Sequence, residues 1–174
     1  MEIVSGYNRK CKDKISGVKG VWLLKYRKYN RSEIVINGNE LVSFPETFVY
    51  RFHSLQNPSA NETMQQNEGG KYYEQTISLT FAGTEIGEIE LLQKLDFRML
   101  ILDNNGLYRI FGLWNGLQGG NITYTTGNSK SDLNGFKIDF NGLEESESAY
   151  IENPFEVGFI IKGFDYYKEF LMYG

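Results

Sequence analysis

Residues 72–81, Tyr72-Tyr73-Glu74-Gln75-Thr76-Ile77-Ser78-Leu79-Thr80-Phe81, decide the fold class. Tyr73, Gln75, Ile77, Leu79 and Phe81 share one face at a period of two, and Tyr72, Glu74, Thr76, Ser78 and Thr80 share the other. One largely apolar face and one polar face is the pattern of a half-buried strand in an antiparallel sheet.

The flanking sequence repeats this grammar. Gly20–Tyr26 reads as a first strand, and Ser32–Ile36 as a second that ends in the hairpin dipeptide Asn37-Gly38. Its partner runs from Glu40 towards Pro45. Phe48–Leu55 alternates, with Phe48, Tyr50 and Phe52 on one face and Val49, Arg51, His53 and Leu55 on the other. Phe97–Leu102 and Leu107–Leu113 flank Asp103-Asn104-Asn105-Gly106, a hairpin tip. Asn121–Thr126 and Phe136–Asn141 are further strands, and an apolar Phe155–Ile161 follows Pro154. Between His53 and the quoted stretch lies a polar run, Gln56–Gly70, which is either a long loop or the tip of an extended hairpin. One helix is expected at Thr84–Leu95, capped by Thr84, with Ile86, Ile89, Leu92 and Leu95 as its packing stripe.

Composition agrees with a mainly β chain. Twelve Phe, twelve Tyr and 19 Gly against three Pro favour pleated surfaces joined by tight turns. The 174 residues fit one domain able to bury a core without disulfides or a structural metal. The expected boundaries are an N-terminal arm at 1–16, a β domain at 17–162 and an aromatic C-terminal extension at 163–174.

The residues offer little chemistry. A net charge of −4 argues against a protein built to grip a phosphate backbone. One Cys (Cys11) and one His (His53) cannot build a zinc site, and neither sits in a nucleophile motif. Glu144 and Glu145 are adjacent, so a strand would point them to opposite faces, unlike a paired glycosidase dyad. No catalytic, cofactor or metal residues are expected. No secretory leader or membrane span is read, and the sequons at Asn30, Asn61 and Asn121 are taken as chance in an Asn-rich chain. Trp114-Asn115-Gly116 is where a sugar site would be sought, although a turn or core tryptophan is the plainer reading.

Several stretches, taken in order, carry a resemblance. They are Cys11 with Gly17-Val18-Lys19-Gly20-Val21-Trp22; Tyr73 to Thr80; the helix; Asp103 to Gly112; Thr126-Gly127 ahead of Ser131 to Phe136; and Pro154-Phe155-Glu156-Val157. Together they resemble the tail-tube-like and tail-hub virion proteins of crAss-like and related Bacteroidetes phages, over roughly residues 11–157. The resemblance implies two packed antiparallel β-sheets, a sandwich or barrel, with one flanking helix. It implies a homo-oligomeric ring, six-fold or a multiple of six, around a channel for genome ejection. Partners would be other tail and connector proteins, with DNA only passing through and no membrane insertion. The protein would be made in the host cytoplasm and reside in the virion. Gln56, Asn61, Gln65 and Asn67 of the polar run, and Phe164, Tyr166, Phe170 and Tyr173 of the tail, are the expected subunit contacts. Glu144, Glu145 and Glu147 are the expected channel-facing acids. A carbohydrate-binding β module is the alternative expectation.

Overall fold

The computed structural model describes residues 16–52, 55–82, 90, 92–126, 134–155 and 160–162. Among these residues twelve strands run in chain order: β1 Val18–Lys25, β2 Val35–Asn37, β3 Glu40–Ser43, β4 Thr47–Arg51, β5 Ser59–Asn67, β6 Gly70–Ala82, β7 Asp96–Asp103, β8 Tyr108–Phe111, β9 Leu117–Thr125, β10 Gly135–Glu144, β11 Ala149–Ile151 and β12 Ile160–Lys162. They form one mixed, curled sheet, a half-barrel whose main path is β2-β3-β11-β8-β7-β9-β10-β6-β5. β1 lies between β7 and β4, and β12 joins β4.

The expected pair of separate antiparallel sheets is therefore replaced by one continuous sheet. The joint is short. β7 pairs with β8 from Met99 to Leu102, while its first two residues pair with β9, Asp96 with Gln118 and Phe97 with Leu117. Two pairings are parallel, β11 with β3 and β12 with β4. A contact two residues long between distant strands leaves no periodic signal in the sequence.

The curl brings two groups of strands face to face. Ile77, Leu79 and Phe81 of β6 and Phe136, Ile138 and Phe140 of β10 pack with Val21 and Leu23 of β1 and Phe97, Met99 and Ile101 of β7. The other faces of β1 and β7 carry Trp22, Leu24 and Leu100 into a second cluster with Ile34, Leu41, Phe44, Leu113 and Ile151. Strands buried on both faces lose alternation and read as continuous apolar runs, as 21–24 and 99–102 do. Each such fully buried side chain contributes about 1.5–3 kcal/mol over leaving it in water.

Local chemistry explains the remaining differences. Ser32–Ile36 is not one strand: Arg31–Glu33 forms a 3-10 turn, in which Glu33 reaches back to accept from the Asn30 N–H at 2.7 Å, and β2 begins at Val35. Val49 and Tyr50 of β4 and Phe52 just beyond it are buried, but Phe48, expected on the face of Tyr50 and Phe52, is exposed. Gln56–Gly70 resolves as an extended hairpin, β5 pairing with β6 over nine positions from Ser59↔Ser78 to Asn67↔Gly70. The turn after β7 is held by Asp103, whose carboxylate accepts the N–H groups of Asn105 (2.8 Å) and Leu107 (2.9 Å), with Gly106 at φ +85°. Most of the expected helix lies outside the described residues. Glu90, Leu92 and Gln93 are helical, and Leu92 is buried in the main core. His53, Cys11 and residues 163–174 also lie outside them.

Candidate assembly surface

The sheet path ends at β5, which pairs with β6 along one edge; among the described residues no strand pairs with its other edge. Its side chains divide by period. Ala60 packs against the main core and Glu62 stands opposite Gln75, a buried residue of β6. Asn61, Thr63, Gln65 and Asn67 therefore point to the outer face. There they continue a polar ladder with Glu74, Thr76 and Ser78 of β6 and Asp139 and Asn141 of β10. Gln65 Nε2 donates to Glu74 at 3.1 Å, Thr76 Oγ1 to Asn141 at 3.0 Å, and Ser78 Oγ to Asp139. Three expected contact residues, Asn61, Gln65 and Asn67, thus share one strand and one face. Gln56 lies on the bend before β5, exposed, its N–H held by the Thr80 carbonyl at 3.0 Å. Phe164, Tyr166, Phe170 and Tyr173 lie outside the described residues.

The inner side of β5 is anchored by polar groups. Glu62 accepts from Gln75 Nε2 at 2.6 Å and from the Ser148 N–H at 2.7 Å. Gln75 Oε1 in turn accepts the N–H of Gly112 at 2.7 Å. One buried glutamine thereby links the edge strand to the turn after β8, and Glu62 adds the segment ahead of β11. The only charge in β5 is spent inward.

That turn, 112–116, is clamped by a buried cation and a buried anion. Arg98 is 1% exposed and Glu144 2%. Arg98 Nε donates to the Leu113 carbonyl at 2.8 Å, and the Trp114 N–H donates to Glu144 at 3.0 Å. Carbonyl and N–H belong to one peptide unit, so the pair grips a single peptide bond from both ends. The Asn115 N–H adds a bond to Glu144 at 2.8 Å. The guanidinium lies over the rings of Tyr26 and Tyr29, 4.6 and 5.0 Å from their centroids. Burial pushes the Glu144 carboxyl above the usual carboxylate range, against the pull of the Asn115, Trp114 and Gly116 N–H groups and of Arg98.

Glu144 was expected at a channel surface; the structure buries it as the last residue of β10. Glu145, pointing the other way, is exposed and ion-paired with Arg31, and Glu147 is exposed. The three acids therefore do not form one surface. Trp114 sits partly buried against the second core with Arg31 over its ring at 5.2 Å, so the plainer reading of that residue holds.

Beside the clamped turn lies an open groove of about 540 Å³, lined by Thr76, Asn115, Gln118, Asn141 and Leu143 among others. Its walls offer amides, a hydroxyl, the Glu74 carboxylate and one apolar side chain. Among the described residues no group of three His, Cys, Asp or Glu could hold a metal, and no helix is long and apolar enough to cross a membrane.

Reading by pattern missed Arg98, Glu62 and Ser148. Arg98 carried a signal, as the one charge in the apolar run Phe97-Arg98-Met99-Leu100-Ile101-Leu102. Gln75 was legible as the one amide on the Ile77–Phe81 face. Glu62 and Ser148 meet across 86 residues and gave none. No family model, curated protein or solved structure matches this chain.

Proposed function

We propose that the chain is a structural phage tail protein, a subunit of an oligomeric ring (a tail tube or tail hub) around the channel through which a genome leaves. The observation that carries this reading is the outer edge of β5, a nine-residue strand at the end of the sheet path, which pairs with no strand among the described residues. An open edge offers a row of unpaired N–H and C=O groups, ready for a neighbouring sheet. Joined head to tail, such edges close into a ring where the rotation between subunits allows it.

In this reading β5-β6-β10-β9 is one layer and β1-β4-β7-β8 the other. The partners are further copies, six or a multiple of six, together with neighbouring tail and connector proteins. The mild negative charge suits a wall past which DNA slides without sticking. The protein acts as a scaffold, not an enzyme, needs no cofactor, and belongs to the virion after synthesis in the host cytoplasm. Negative-stain electron microscopy at high protein concentration tests the proposal. Rings or tubes with an open channel are expected, and compact particles without a channel at every concentration would remove it.

One observation favours a second reading, a carbohydrate-binding module: the groove lined by Asn115, Gln118 and Asn141 has the amides that sugar hydroxyls pair with. A glycan screen of the wild type and of Asn141→Ala separates the two, since a lectin loses a ligand that a tail subunit never had.

A further inference from the structure

The open edge has a second consequence, which rests on reading β5 as an association surface but not on the ring. We propose that free subunits pair as a two-fold dimer, β5 against β5, antiparallel and centred on Thr63.

Apart from the inward charge of Glu62, whose carboxylate is already satisfied within the subunit, the strand lacks the devices that keep an edge unpaired. Residues 59–67, Ser-Ala-Asn-Glu-Thr-Met-Gln-Gln-Asn, contain no Pro, Lys or Arg. The register against β6 runs without a shift, so no bulge twists the edge away. Glu62, the one charge, is turned inward and held by Gln75 and Ser148. The outer side chains Asn61, Thr63 and Gln65 are neutral donors and acceptors.

The occupant follows from the register. A two-fold axis at Thr63 overlaps all nine residues and sets Ser59 against Asn67, Ala60 against Gln66, Asn61 against Gln65, Glu62 against Met64, and Thr63 against itself. Every outer-face pair can hydrogen-bond, and no like charges meet. Met64, 53% exposed in the subunit, gains the Glu62 stem of the second copy as cover. Moving the axis to Glu62 sets two carboxylates face to face; moving it to Met64 shortens the overlap. The strand is thus self-complementary in its longest register, the condition for a closed isologous contact. The dimer covers the edge that a ring needs, so it stores the subunit and must open before assembly.

Cysteine cross-linking tests the register. With Cys11→Ser removing the one native thiol, Thr63→Cys places two thiols directly opposite. Cα atoms of such a pair lie about 4.5–5.5 Å apart, within disulfide reach. Under mild oxidation Thr63→Cys is expected to run as a covalent dimer. Asn61→Cys and Gln65→Cys are expected to stay monomeric singly and to cross-link when combined. Sedimentation of the unoxidised proteins should give a monomer–dimer equilibrium. A monomer at all concentrations, or a dimer in which Thr63→Cys cross-links no faster than Asn61→Cys, overturns the proposal. Rings in which Thr63→Cys stays silent overturn the dimer and leave the ring reading standing. A Thr63-linked dimer that never yields rings does the reverse.

Discussion

Arg98 and Glu144 hold opposite ends of the peptide unit between Leu113 and Trp114, and replacing Glu144 by Leu tests that clamp. The substitution removes the acceptor for the Trp114 and Asn115 N–H groups and leaves the Arg98 guanidinium buried beside no anion. Leaving two N–H groups without their charged acceptor costs about 1–3 kcal/mol each, so a loss of about 3–5 kcal/mol is expected for the two together. For a chain of this length that corresponds to a fall in Tm of roughly 6–20 °C. Urea unfolding followed by tryptophan fluorescence measures it, because Trp114 belongs to the turn and Trp22 to the second core. The midpoint should fall with an unchanged slope. Arg98→Met should cost a similar amount, and the double variant less than the sum of the two singles. A Glu144→Leu midpoint within about 0.5 kcal/mol of wild type, the range of ordinary surface changes, would refute the clamp.

Three further outcomes follow from the same geometry. Burial holds the folded Glu144 carboxyl above its unfolded value, so the stability it contributes is full below the ordinary carboxylate range and is lost as pH rises through the raised value. Urea midpoints taken from pH 4 to 7 should therefore decline for wild type relative to Glu144→Gln, and the opposite slope would contradict the burial argument. Phe140→Ala empties a fully buried site in the main core, where the ring meets Phe97 edge-on at 6.1 Å, and should cost about 3–5 kcal/mol by chemical denaturation; a loss below 1 kcal/mol would mean that the two strand groups do not pack through it. Gly135→Ala drives a methyl group into the Phe81 carbonyl oxygen, a backbone atom that cannot swing away, and should cost at least about 1–3 kcal/mol or block folding, read from soluble yield and midpoint.

The sequence disclosed much of this fold because most strands obey one rule. β6 was legible because Ile77, Leu79 and Phe81 alternate with Ser and Thr, and the β7–β8 hairpin because Asp103 to Gly106 spells a turn. β5 was half legible. Its polarity spoke for a loop, and only its pairing with β6 makes it a strand, for an edge strand needs few apolar residues. The joining of the two halves at Asp96–Phe97 was not legible, since it depends on two pairings to residues 117 and 118. The candidate surface divides in the same way. Asn61, Gln65 and Asn67 were named for their polarity and share a face because of the period of two. Glu144 was misplaced because three acids close together read as a wet loop, whereas strand alternation turns Glu144 inward to Arg98 and leaves Glu145 outside with Arg31.

Amide hydrogen exchange over residues 59–67, measured as protein concentration is raised, tests most directly whether the β5 edge is where this chain meets its neighbours. Protection should grow across β5 as association proceeds, while the amides around Ile77, Leu79 and Phe140 stay as protected as they are in the free subunit. Exchange in β5 that does not change with concentration, whether the chain stays single or associates through another surface, would contradict the account.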